Sequence, residues 1–197
     1  MSEQRCDRRT LKEFSIDTLE IAFCNLLKSI QGIKPEEVFK QITPEINTVG
    51  SIIAHCAAHM NLVFIKKCQG KTILQKKIKF SFKSLEKISP FSFKELVDSF
   101  LTVADSAFTY LEKLPEERFR YLPEKAVSKA KYQETVLELI QRLALHFMGH
   151  MGQIRVIRKE FGNPAKGFFV AGISKSSRKN LLSEWKTWWE KSSTTFQ

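Results

Sequence analysis

Every histidine in this 197-residue sequence has a second one four positions away: His55 with His59, and His146 with His150. On a helix, residues four apart share a face, so both imidazoles of a pair can reach one metal ion or one hydrogen-bond network. Imidazole suits zinc, nickel, iron or copper, and spacing alone does not choose among them. His146 and His150 are flanked by Leu143, Phe147 and Ile154, on the apolar side of their segment. A polar ring buried there without a partner costs about 1–3 kcal/mol, so the pair demands a metal or a hydrogen-bond network. Neither pair carries the HExxH pattern of a zincin. Having two pairs with no histidine left over favours a divalent metal, with hydrogen-bonded core histidines as the alternative.

Four long segments with helical periodicity position these residues, which predicts an all-α, four-helix bundle with a short additional C-terminal helix. The first segment covers about residues 11–30 and stops at Gln31-Gly32. The second opens after Thr43-Pro44-Glu45, where threonine can cap and proline suits the first turn, and reaches about Cys68. Its apolar stripe is Ile46, Val49, Ile52, Ile53, Cys56, Met60 and Val63. The third starts after Ser89-Pro90 or at Ser92 and runs to about Leu114; the fourth covers about 132–161 and ends at Gly162-Asn163-Pro164. A fifth, short helix is expected over about 177–191. Its Trp185, Trp188 and Trp189 read as a core plug rather than a substrate platform. Ile78, Phe80 and Phe82 alternate with polar residues and suggest a short strand. Phe168 and Phe169 sit in a loop and are expected to pack beneath it.

The length suits one domain over residues 1–197, and 43% hydrophobic with 27% charged residues places the chain among folding sequences. The N-terminus lacks a secretory pattern, no apolar run reads as a bilayer span, and Cys6, Cys24, Cys56 and Cys68 show no CxxC spacing. Reduced thiols and a cytoplasmic location are therefore expected. The net charge of +11 is concentrated: eight lysines and one acid lie between Lys66 and Lys87. A solvated basic surface is the commoner meaning of such a run. With no nucleic-acid-binding motif, nucleic acid is not the expected partner, nor is a membrane.

The stretches AHCAAHM and LALHFMGHMGQIRVIR, with Gly152-Gln153-Ile154 and Arg155 following the second histidine pair, resemble the DinB superfamily of metal-binding four-helix proteins. The resemblance implies one ligand from the second helix and two from the fourth. Those are His55, which follows the Ile52-Ile53-Ala54 run, with His146 and His150. It leaves His59 as a fourth ligand, a supporting group or a plain helix residue. Three histidines with open positions have the construction of a catalytic centre.

Several relatives look like transferases using a low-molecular-weight thiol, so the resemblance implies a small-molecule electrophile and such a thiol as partners. Many relatives pair, which allows a homodimer. Arg155 and Arg158 are candidates to hold a cofactor carboxylate, with a solvated position on the back of the helix as the equal alternative for Arg155. Gln153 could bond a ligand or close a helix contact. Metal-assisted hydrolysis is the second enzymatic reading, but it lacks an evident base on the histidine helices and would draw on Asp98 or Asp105. A basic binding module with a structural metal is the non-enzymatic alternative.

Overall fold

The computed structural model describes residues 9–74, 91–123, 133–167 and 174–196. Its helices are α1 (Leu11–Ile30), the single turn α2 (Pro35–Val38), α3 (Val49–Met60), α4 (Phe93–Lys113), α5 (Val136–Glu160) and α6 (Lys175–Ser192). There is no strand among the described residues. The strand suggested around Phe80, most of the lysine-rich segment, and Phe168 and Phe169 lie outside them.

Three helices begin with the same device. Thr10, Ser92 and Thr135 each accept a hydrogen bond from the backbone N–H three residues on, and Glu13, Glu95 and Glu138 each accept one from the backbone N–H of the capping residue. Each box satisfies two N–H groups that the helix itself leaves unpaired. The box at Thr135 starts α5 four residues later than the periodicity suggested. α3 also begins later than expected. Thr43 and Pro44 form only a turn, closed by Ile46 N–H to Thr43 O at 3.1 Å, and the working cap is Thr48, which accepts from Ser51 N–H. Ile46 is consequently exposed rather than part of the buried stripe.

After Met60 the helix continues as a π-helix, Asn61–Lys67. The wider turn carries Val63, Phe64 and Ile65 into the core together. The whole stretch Val49–Lys67 is long and apolar enough to cross a membrane by length and composition, contrary to expectation. Most of it is buried inside the protein, as a central helix must be.

α5 packs against α1 and α3, and α3 against α4, giving the neighbour relations of a four-helix bundle. Edge-to-face rings tie the middle together: Phe100 meets Phe23 at 5.2 Å and Phe147 at 5.6 Å between centroids. α6 covers 18 residues, beginning two residues before and ending one after the expected bounds, and lies along α1. Trp185 donates to Leu27 O and Trp189 to Asp98 Oδ1, both at 2.8 Å, so these tryptophans plug the seam between α1 and α4.

Arg158 lies inside the protein at 2% exposure and does not line a mouth. It donates to Ser29 O and Gln31 O at the end of α1 and to Asn163 O and Oδ1 just after α5. Asn163 in turn donates to Glu37 Oε2 at 2.8 Å. Burial lowers the arginine's pKa, and Glu37 acts in the opposite direction. Arg158→Met is expected to destabilise the fold by about 3 kcal/mol, because buried carbonyls lose their donors. Urea unfolding measures this directly; a loss below about 1 kcal/mol would mean that the clamp is dispensable.

Candidate metal centre

α3 is apolar on nearly every side, with Ile52, Ile53, Ala54, Cys56, Ala57, Ala58 and Met60 all buried. His55 and His59 are its half-buried positions, and both turn toward α5. On α5 the central stripe is Leu139, Leu143, Phe147 and Ile154, all buried, while His146 and His150 are half-buried at its edge. The two pairs thus meet in the α3–α5 seam.

His55, His146 and His150 come together there, with one ring nitrogen from each within 4.8 Å of the others, a grouping that could hold a metal ion. The His55 centroid is 4.9 Å from those of His146 and His150, which are 4.4 Å from each other. His146 Nε2 is buried and has no hydrogen-bond partner. A buried ring nitrogen left in this way costs free energy unless something fills the site, and a divalent ion would satisfy that requirement.

Burial holds the rings neutral. It pushes His55 from 6.5 down to about 4, with His150 adding to the shift, and His146 down to about 3, with the other three histidines and Arg142 adding. His150 is lowered by burial too, against the opposing effect of its bond to Gln153. Neutral imidazole is the form that binds metal.

Gln153 and Arg142 complete the surroundings. Gln153 is exposed, and its Oε1 accepts from His150 Nδ1 at 2.7 Å. That bond puts the hydrogen on Nδ1 and leaves the Nε2 lone pair for the cluster. Arg142, to which the sequence analysis assigns no role, stands four residues before His146 on the same helix face. Its Nη1 lies 2.8 Å from His59 Nε2, while Nε and Nη2 hold both Glu134 oxygens at 2.6 and 2.9 Å.

The residues weighed as general bases lie elsewhere. Asp98 accepts from Trp189 and pairs with Lys94. Asp105 borders a cleft of about 220 Å³ formed by α1, α4 and α6. Arg155 donates to Gly167 O at 2.7 Å.

The structure is thus an all-α bundle with a histidine cluster in one seam. A sequence model of the DinB superfamily matches residues 18–154, most of the chain, including all four histidines, Arg142 and Gln153, and the chain belongs to that superfamily. No curated protein matches it.

The neutral rings give the metal-free protein a characteristic acid response. Between the folded values of about 3–4 and the unfolded value of 6.5, the unfolded chain binds more protons, so stability rises with pH and is lost on acidification. The urea midpoint of metal-free protein is expected to fall from pH 6.5 toward 4, with a shallower slope in His146→Phe. Equal slopes would assign the loss to carboxylates instead.

Proposed function

We propose that His55, His146 and His150 bind a divalent metal ion, and that the protein is a transferase activating a low-molecular-weight thiol for attack on an electrophilic substrate. The observation that carries the metal reading is the partnerless, buried Nε2 of His146 among three converging neutral rings. A divalent ion held there would supply the charge that ionises a thiol whose ordinary pKa is about 8.5.

The thiols among the described residues argue for an external one. Cys24, Cys56 and Cys68 are free and buried, and burial pushes Cys24 and Cys68 up to about 12 and Cys56 higher still. None of the three is a nucleophile at neutral pH. The donor set is three imidazoles without a carboxylate, fewer than the four ligands of a closed structural zinc site. The half-buried rings leave an approach from solvent. In the transfer, the sulfur bonds to the electrophilic carbon, the leaving group departs with its bonding pair, and the thiol proton passes to solvent.

Metal analysis of protein purified after supplementation should give one ion per chain, and His146→Ala should lose it; equal stoichiometry in the variant would refute the site. Transfer from a panel of small thiols to a chloronitroarene should stop on chelation and return with added metal. Transfer indifferent to chelation would leave the metal without the proposed role.

A further inference from the structure

His59 sits as close to His146 as the cluster's members do to each other, its centroid 4.3 Å away, and lies 6.0 Å from that of His55. Yet it is not part of the converging group. Arginine carries only donors, so at 2.8 Å from Arg142 Nη1 the His59 Nε2 must be the acceptor, and the ring's hydrogen is on Nδ1. Its Nε2 lone pair is therefore engaged. Turning Nδ1 to an ion instead would move the hydrogen to Nε2, where it would face the N–H of Arg142. Either route to coordination is blocked while the guanidinium stays in place.

The guanidinium is itself fixed. Glu134, next to the Thr135 cap of α5, takes Nε and Nη2 in a two-point grip that leaves only Nη1 for His59. Three elements of geometry thus act in series: a helix cap sets Glu134, Glu134 sets Arg142, and Arg142 sets the tautomer of His59.

We propose that Arg142, gripped by Glu134, is a positioning residue that keeps His59 from becoming a fourth protein ligand and so holds the three-histidine site open to an external one. This rests on the metal-binding reading given above. A site of four imidazoles would be closed, and a small thiol would have to displace a protein ligand to enter. The arginine therefore decides whether the same four histidines form a storage-like clamp or a site that can be approached.

Cobalt(II) serves as the probe, because its visible absorption responds to coordination number. Wild type, Arg142→Met, Glu134→Gln and the double variant Arg142→Met/His59→Phe are loaded with cobalt alone, and the ion is then removed by a competing chelator. Arg142→Met is expected to give a more intense spectrum and at least tenfold tighter retention. Adding His59→Phe should restore the wild-type spectrum. Glu134→Gln, which keeps the arginine and loosens its grip, should move in the same direction by less, and it carries the test if Arg142→Met does not fold.

If wild type binds one cobalt while neither single variant alters spectrum or retention, the role of Arg142 is overturned and the metal site stands. A changed spectrum in Arg142→Met that persists without His59 also overturns it. Failure of every protein to bind cobalt overturns the metal reading and this inference together.

Discussion

Four imidazoles confined to one half-buried seam cannot all carry charge, and this electrostatic constraint governs what surrounds them. A neutral ring has one donor nitrogen and one acceptor, so every lone pair in the seam needs a destination. His59 gives its acceptor to Arg142, and His150 spends its donor on Gln153, which turns its acceptor inward. His146 Nε2 has no such arrangement. The cluster is therefore not a set of interchangeable ligands. His59 and His150 are each assigned by a neighbour.

That assignment depends on two helices keeping their rotation. α3 can present only one polar edge, because its remaining faces are packed against α4 and the rest of the core. α5 is set at its start by the Thr135–Glu138 box and at its end by Arg158, which joins it to the last carbonyls of α1. The arginines on α5 divide the labour accordingly. Arg142 orders the site, Arg155 holds a loop carbonyl, and Arg158 holds the frame.

Where local chemistry marks an element, the sequence was a good guide. The bounds of α1 agree with the structure because apolar periodicity fades at a glycine that takes a positive φ of 75°. The start of α3 was misplaced because Thr43-Pro44 has the composition of a helix start, while Thr48 and Ser51 make the actual one. The π-turn after Met60 had no legible signature, since a change of helical pitch alters which residues are buried without altering their types. In the site, spacing paired the histidines and the family pattern separated His55 from His59. Arg142 was legible in principle, one helical turn before His146. Glu134 was not, because it precedes α5 and its reach depends on the path of the chain into the cap.

The DinB-matching residues end within α5, yet the outer seam between α1 and α4 is closed by α6. Arg178 reaches back to Asp17 and Glu20, and Trp185 to Leu27, across about 160 positions of chain. These are among the longest sequence separations in the fold, and their closure carries a correspondingly large search entropy. During synthesis, which proceeds at roughly 5–20 residues per second, the histidine seam can assemble as soon as α5 has emerged, while the opposite side of α1 still shows its apolar surface. The nascent chain thus passes through a stage with its histidine-bearing half formed and its far side uncovered. In that interval chaperones have a surface to hold, and neighbouring nascent chains have one on which to aggregate.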